Sequence, residues 1–228
     1  MPYLRQPSFL ELLSEYERQR LGQICPPRAL ELGELLYRQG DPCHSLIILI
    51  EGQVKLLKIA GRGQERIVYV AGGGDLLGIN FLSQDAEHTT TAICLSRAVI
   101  CPVEKSQVMQ VFRELPNVAL RLAQVLADRV TQLEGQLEVS SAPAAYRLGR
   151  AFLWLAQRFS VPDFSPWRDL PMELRQEDLA AMCGTTRVTV TNTLGELRNL
   201  GLVEGTRGRY RVNLKALEHW LEGFGEVG

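Results

Sequence analysis

Polar side chains able to bond nucleic-acid bases lie close together between residues 186 and 192. The guanidinium of Arg187 can donate two hydrogen bonds to the edge of a guanine, and Asn192 can bond an adenine or a phosphate. Val188 has no hydrogen-bonding group, so it can offer only methyl contact to a thymine. The segment predicts contacts to DNA through Thr186, Arg187, Val188, Thr189, Thr191 and Asn192.

These side chains are placed by two predicted helices with a tight turn between them. The first helix covers Gln176–Met182 and the second covers Thr186–Asn199, and Gly184 can adopt the positive φ that a sharp corner needs. On the second helix, an apolar stripe predicts a buried face opposite the polar one. The stripe consists of Val190, Leu194 and Leu197. The pair predicts a DNA-binding helix-turn-helix.

A glycine-rich hairpin is predicted after the second helix, because residues 202–212 alternate about a turn. Arg207 and Arg209 on this hairpin are expected to contact DNA. Between residues 185 and 215, six basic side chains stand against two acidic ones, whereas the whole chain has a net charge of −1. This distribution favours a local DNA-binding patch and excludes a uniformly basic nucleic-acid binder.

The first half of the chain has the pattern of a β-rich domain. From about Leu30 to Val103, short apolar runs are separated by glycine and aspartate turns, which predicts an antiparallel barrel or sandwich. A helix is predicted before it over residues 8–24, opened by a capping box of Ser8 and Glu11.

A long helix is predicted over Pro116–Glu138, about 35 Å at 1.5 Å per residue. Its apolar face could pack on the β-rich domain, but a seam this long and regular favours a homodimer interface between two such helices. The residues assigned to that interface are Leu122, Leu126, Val130, Leu133 and Leu137.

Composition and motifs argue against several other classes of protein. No apolar run approaches the ~18–20 residues of a membrane span, and no secretory signal is recognisable, so we expect a cytoplasmic protein with no membrane partner. We find no catalytic constellation or phosphate loop, so no enzyme is expected. The three histidines are scattered and the five cysteines form no C-x-x-C pair, so no metal site is expected. The cysteines are interpreted as small buried residues, with a thiol redox switch through Cys94, Cys101 or Cys183 as an alternative.

Several segments, taken in order, resemble the CRP/FNR superfamily of bacterial transcription regulators. They are Tyr37–Asp41, Ile50–Gly52, Gly74–Gly78, the long helix and Gly184–Thr191. The resemblance implies an α+β fold with an N-terminal antiparallel β-roll similar to a cyclic-nucleotide-binding domain, a long dimerisation helix and a C-terminal winged helix-turn-helix. We place these parts at residues 1–115, 116–139 and 140–228.

A member of this superfamily is expected to regulate transcription as a homodimer on a palindromic site in double-stranded DNA, with half-sites about 34 Å apart. Arg187 and Val188 would favour a half-site similar to GTA. The segment Ser160–Leu170 is predicted to be a loop, and it occupies a place where activating members often touch RNA polymerase. RNA polymerase is therefore the expected second partner if the protein is an activator.

The resemblance also locates an effector pocket, which differs from that of the members that bind cyclic AMP. Those members use Gly-Glu for the ribose, Arg-Ser for the phosphate and Thr-Ser for the adenine. The candidate pocket residues here are Gly78, Ile79, Asn80, His88, Thr89, Thr90, Arg129, Leu133 and Glu134. Ile79 replaces the glutamate, His88-Thr89-Thr90 lacks the arginine that binds a phosphate in bidentate fashion, and Leu133-Glu134 replaces Thr-Ser. Cyclic AMP is therefore not the expected effector.

Within the superfamily, the recognition segment and the long helix resemble the cyanobacterial global nitrogen regulators in particular. Arg129 and Glu134 match residues that bind 2-oxoglutarate there, and His88 stands where an arginine is expected. A histidine can bond a carboxylate but is cationic only if its pKa is raised. Alternatively, Arg129 and Glu134 form a structural ion pair. No cofactor follows with certainty, and three hypotheses stay open: gating by 2-oxoglutarate or another small anionic metabolite, effector-independent activity, and thiol redox gating.

Overall fold

The computed structural model describes residues 8–59, 61–84, 86–138, 141–161 and 165–225, without the side chains of residues 62, 136–138 and 225. The chain forms two compact units, one ending at Glu134 and one beginning at Gly135. In these ranges, no helix is long and apolar enough to cross a membrane. Among the same residues, no group of three or more His, Cys, Asp or Glu side chains could hold a metal ion.

The first unit is built on eight strands. They are β1 (Arg28–Leu30), β2 (Leu35–Tyr37), β3 (Ser45–Glu51), β4 (Val54–Ile59), β5 (Glu65–Ala71), β6 (Leu76–Leu77), β7 (Thr91–Cys94) and β8 (Ala98–Glu104). They pair antiparallel in two sheets, in the orders β1-β8-β3-β6 and β2-β7-β4-β5. Apolar residues of both sheets, such as Leu49, Val54 and Ala98, meet in one shared core. The predicted antiparallel β-roll is confirmed.

Four helices cover the other face of the first sheet: α1 (Phe9–Leu12), α2 (Glu15–Gln23), α3 (Lys105–Glu114) and α4 (Pro116–Glu138). The predicted single helix over residues 8–24 is wrong. Leu13 is extended, with ψ 144°, and Ser14 opens a second helix through its own capping box with Glu17. The helices and the sheet enclose a second apolar cluster that includes Phe9, Ile48 and Leu76.

The long helix α4 has the predicted bounds, but its apolar residues do not share one environment. Leu122 is 3% exposed and lies in the apolar cluster under the helices, so its assignment to an exposed dimer seam is wrong. The start of α4 packs on the β-roll of its own chain. Leu126 is partly buried against the same cluster, whereas Val130 and Leu133 are exposed. The side chain of Leu137 lies outside the described residues.

Two of the cysteines are bonded to each other. Cys25, which follows α2, forms a disulfide with Cys101 of β8, with their Cα atoms 5.5 Å apart. Spacing in the sequence does not predict this bond. The interpretation as a buried residue holds for Cys101, which is 2% exposed, whereas Cys25 is only partly buried. The pairing of β1 with β8 brings the two segments together although 76 positions separate them. Cys43, Cys94 and Cys183 are buried, as predicted.

The second unit combines four helices with a small sheet. Its elements are α5 (Ala144–Phe159), β9 (Trp167–Asp169), α6 (Gln176–Cys183), α7 (Arg187–Asn199), β10 (Val203–Thr206), β11 (Arg209–Asn213) and α8 (Leu214–Gly225). The sheet order is β10-β11-β9. The segment expected as a loop over Ser160–Leu170 therefore contributes a strand, since Trp167–Asp169 pairs with β11. Fully buried residues such as Phe152, Leu174 and Leu179 form the interior.

Candidate functional site

The helix-turn-helix forms where the sequence predicts it, with a corner at Gly184 between α6 and α7. Gly184 has φ 60° and ψ 48°, a left-handed conformation that glycine adopts without a side-chain clash. The Thr185 N–H donates to the Ala180 carbonyl at 3.0 Å and closes the end of α6. At the start of α6, the buried Asp178 carboxylate accepts a hydrogen bond from the Arg175 N–H at 2.9 Å. These local bonds fix the two ends of α6.

Helix α7 has one buried face and one exposed face. The predicted stripe is confirmed, because Val190, Leu194 and Leu197 are at most 1% exposed. The opposite face presents the exposed residues predicted to contact bases: Arg187, Val188, Thr191 and Asn192. Val188 is 70% exposed, a costly position for an apolar side chain in water and a useful one against a thymine methyl.

The N-terminus of α7 is capped by Thr186. The Thr189 N–H donates to the Thr186 hydroxyl at 3.1 Å, and the two hydroxyl oxygens lie 2.9 Å apart. A capped N-terminus holds the first turn in helical geometry. That turn carries Arg187 and Val188, so the cap positions the residues proposed to contact bases.

Two residues of α6 that sequence reasoning missed contact the exposed face of α7. The Arg187 Nε lies 3.3 Å from Glu177 Oε1 in an exposed ion pair. The Thr191 hydroxyl donates to Gln176 Oε1 at 2.8 Å. Their signal in the sequence was their place at the start of the helix that precedes the turn. These bonds orient Arg187 and Thr191 before DNA is contacted.

The hairpin after α7 is the predicted wing, formed by β10 and β11. Its two-residue turn has φ 54° at Arg207 and φ 86° at Gly208, as a type I′ turn requires. Arg207 is exposed at this tip. Arg209, in an 82% exposed position, pairs with Glu173 at 3.2 Å. Both predicted wing arginines thus face solvent.

Arg198 ties the wing to the recognition helix. Its guanidinium donates to the Gly205 carbonyl at 2.7 Å. Gly205 has φ 107°, and a Cβ there would lie 2.1 Å from the Arg209 carbonyl oxygen. The close approach of the two strands therefore needs glycine. Arg198 positions the wing, a role that the count of charges in the sequence did not distinguish from those of the neighbouring arginines.

The predicted pocket residues of the β-roll lie around Gly78. A Cβ at Gly78, where φ is 67°, would lie 2.7 Å from the Ser45 carbonyl oxygen and 3.5 Å from the His88 ring. The following turn, Ile79–Leu82, includes Asn80, whose side-chain oxygen accepts from the Thr89 hydroxyl at 3.4 Å. The structure thus brings the predicted pocket residues near Gly78 together with those near His88.

His88 lies beside Gly78 among these predicted pocket residues. It is 8% exposed, and its ring stacks on Tyr37 with the centroids 3.6 Å apart. Burial lowers the pKa of His88; Asp41 opposes this shift and His44 adds to it. Burial raises the pKa of Tyr37 to about 12, against the hydrogen bonds from Thr90 and the Gly78 backbone. A neutral, stacked imidazole lacks the positive charge expected of an anion ligand.

Arg129 of α4 is held by groups of the β-roll. Its guanidinium carbon lies 4.2 Å from the centroid of the Tyr69 ring, a cation–π contact, and Nη2 donates to the Leu76 carbonyl at 3.3 Å. Leu133 and Glu134, about one turn further along, are exposed. The arrangement joins the middle of α4 to β5 and β6.

The two units match two different family models. Residues 27–114 match the cyclic nucleotide-binding domain, and residues 146–220 match the Crp-like helix-turn-helix domain. The cyclic AMP receptor protein of Thermus thermophilus is 30% identical over 186 residues, which span 81% of this chain and 82% of that protein. The chain belongs to the CRP/FNR family of transcription regulators. The regulator binds DNA through its helix-turn-helix, and its matched relatives are transcription regulators, not enzymes.

Two further relatives support this family and its fold. The global nitrogen regulator of Synechocystis is 28% identical over 200 residues, which span 85% of this chain and 88% of the Synechocystis protein. The structure of FixK2 from Bradyrhizobium japonicum covers 86% of the regulator and 96% of that chain, with a TM-score of 0.73 and 20% identity. At that identity, the structural likeness supports the shared fold.

Proposed function

We propose that the regulator binds a palindromic DNA site as a homodimer, with one α7 helix in the major groove at each half-site. The exposed polar face of α7, opposite a buried apolar stripe, carries this proposal. Recognition helices of this type contact base edges with their N-terminal residues, and their half-sites lie about 34 Å apart.

The side chains of this face favour a half-site similar to GTA. Arg187 bonds guanine in bidentate fashion, a contact worth about 1–3 kcal/mol of discrimination. Val188 contacts a thymine methyl, and Asn192 contacts adenine or a phosphate. Arg207 and Arg209 in the wing contact phosphates and supply affinity that does not depend on sequence.

The second half of α4 supports the homodimer. Val130 is 55% exposed and Leu133 is 42% exposed, and in sequence they continue the spacing of Leu126, which is partly buried. Apolar residues repeated along one helix face lose contact with water when a second copy packs against them. The dimer contact therefore begins near Leu126, beyond the part of α4 that packs on its own β-roll.

A gel-shift titration of the full-length regulator tests the DNA assignment, using a GTA-N8-TAC duplex and one with both triplets altered. Arg187→Ala should lose the preference for the first duplex and keep weak non-specific binding. Arg28→Ala is the matched control, because Arg28 is also exposed and pairs with a glutamate, Glu34, at 3.1 Å. Protection of the same palindrome by Arg187→Ala would overturn the assignment.

We further propose that the regulator acts without a small-molecule ligand bound in the pocket of its β-roll. The neutral His88 packed on Tyr37 beside Gly78 and the contacts of Arg129 with Tyr69 support this over gating by 2-oxoglutarate or another small anion. Titration calorimetry with 2-oxoglutarate and with cyclic AMP should give no binding heat, while the ligand-free protein binds its duplex tightly. Saturable binding of either ligand contradicts the proposal; for 2-oxoglutarate, its loss in Arg129→Ala would assign the site.

RNA polymerase is the proposed second partner, in the cytoplasm, if the regulator activates transcription. The segment Ser160–Leu170 is the proposed contact; its residues 162–164 lie outside the described part of the chain. In a purified transcription assay, Val161→Asp should reduce activation without changing DNA affinity, because Val161 is 82% exposed. An unchanged transcript yield would remove this segment from the proposal.

A further inference from the structure

We propose that Cys25 and Cys101 form a reversible dithiol–disulfide site that couples the redox state of the medium to the packing of α4 and thereby to DNA affinity.

The two cysteines are brought together by rigid local structure. Cys101 is 2% exposed in β8, and Cys25 is partly buried against the same apolar cluster. Pro26 and Pro27 follow Cys25 and restrict φ of the connection to β1. Arg28 of β1 pairs with Ile100 of β8, next to Cys101. The Cα separation of 5.5 Å falls within the range that disulfides span.

The reducing surroundings in which a DNA-binding regulator acts favour a bond that forms and breaks reversibly. A regulator acts where DNA is, and thiols there are kept reduced, so disulfides of such proteins are usually transient or redox-sensing. The other thiols of the β-roll are less suited to oxidation. Burial raises the pKa of Cys94 to about 11, with Glu34 adding to the shift, and burial raises the pKa of Cys43. Cys25 is less buried than either of them, which makes it the site of attack.

A peroxide is the proposed oxidant. The Cys25 sulfur attacks one peroxide oxygen, the O–O bond breaks, the first water leaves, and a sulfenic acid forms. The Cys101 sulfur then attacks the Cys25 sulfur, the S–O bond breaks, and the hydroxide leaves with the Cys101 proton as a second water. Two thiols lose two electrons and one hydrogen peroxide gains them. An external dithiol reverses the step by thiol–disulfide exchange and is itself oxidised to a disulfide.

The bond belongs to the apolar cluster that the long helix helps to form. Cys101 belongs to the same apolar cluster as Val118 and Leu122 of α4. Helix α2, which precedes Cys25, is joined to α3 by the ion pair of Arg20 with Glu114 at 2.6 Å. The disulfide therefore fastens the segment that carries α1 and α2 to the sheet beneath α4. Reduction leaves only non-covalent contacts to hold this cluster closed.

The full-length protein is treated with hydrogen peroxide or dithiothreitol and alkylated after denaturation. We expect five alkylated cysteines in the reduced protein and three in the oxidised one, with a Cys25–Cys101 cross-linked peptide in the mass spectrum. The oxidised form should melt about 5–10 °C higher. It should also bind a duplex selected from random sequences about fivefold more tightly than the reduced form does. The reason is that α4, which carries the proposed dimer contact, is held in place.

Cys25→Ala and Cys101→Ala should abolish both redox shifts, and Cys25→Ala, at the less buried position, tests the proposal if the second variant fails to fold. Cys94→Ala is the matched control, since Cys94 is as buried as Cys101, and it should keep both shifts. Three results would each overturn the proposal: no cross-link after peroxide, a cross-link that dithiothreitol does not reduce in the native protein, or unchanged or weaker DNA affinity on oxidation. The cross-link and melting measurements need no DNA, so they remain informative if the proposed operator is wrong.

Discussion

Arg207 at the tip of the wing occupies a backbone conformation that disfavours its side chain. We expect Arg207→Asn to stabilise the second unit and at the same time to weaken DNA binding. With φ 54° at Arg207 and 86° at Gly208, the turn is of type I′, for which Asn-Gly is a preferred pair. Arginine at this position is consistent with a side chain retained for contact with DNA at a cost in stability.

The magnitude follows from the turn geometry. A left-handed conformation costs an ordinary residue about 1–2 kcal/mol, and asparagine recovers part of this through local hydrogen bonds. A gain of about 0.5–1 kcal/mol should raise the melting temperature of a unit of this size by roughly 2–8 °C. Each arginine that neutralises a phosphate contributes about 0.9 to the magnitude of the slope of log K against log salt concentration. A dimer carries two copies of Arg207, so the slope of the variant should be about 1.8 smaller in magnitude.

Melting by circular dichroism and fluorescence anisotropy at several salt concentrations measure the two effects. Arg207→Lys keeps the charge and the unfavourable φ, so it should leave both the stability and the salt slope close to wild type. Gly208→Ala should lower the melting temperature for two reasons. The residue has φ 86°, which disfavours any side chain, and the added Cβ would lie 3.4 Å from the Leu174 carbonyl oxygen. An Arg207→Asn protein with an unchanged melting temperature would refute the strain argument, and an unchanged salt slope would refute the phosphate contact.

Four further outcomes are expected. Val188→Glu should shift the preferred base at its position from thymine to cytosine in a selection from random duplexes, since a carboxylate accepts from the cytosine amino group; continued selection of thymine would contradict this. Leu133→Glu should yield monomers in sedimentation with little change in β-roll stability, and a dimer of unchanged affinity would count against the seam. Leu122→Ala should instead destabilise the β-roll by about 2–5 kcal/mol in urea titration, because this side chain is 3% exposed in the core; a loss under 1 kcal/mol would disagree with that burial. Because the pKa of His88 lies below its ordinary value of 6.5, the unfolded chain binds the extra proton first and stability should fall as the pH drops from about 6.5; His88→Phe should flatten this dependence, and an unaltered profile would show that other groups cause it.

The sequence by itself determined the elements whose signals are local. The capping box at Ser8, the proline at the start of α4 and the left-handed glycine of the helix-turn-helix each act within a few residues, so their positions follow from residue type and spacing. The recognition face was predictable for the same reason: an apolar stripe on one helix requires the remaining positions to face away from the core. The division of residues 8–24 at Leu13 has a local signal too, because Ser14 and Glu17 form a second capping box, and the prediction of one continuous helix overlooks it.

The tertiary structure decided what depends on contacts between distant segments. Cys25 meets Cys101, and β9 joins the wing, only because strands from far apart in the chain pair. The periodicity of α4 is uniform, yet Leu122 is buried and Val130 is exposed, because the β-roll covers only part of the helix. Burial by distant segments likewise lowers the pKa of His88, whose ring stacks on Tyr37. Burial and partners are properties of the surrounding surface, and periodicity specifies which face is apolar without specifying what lies against it.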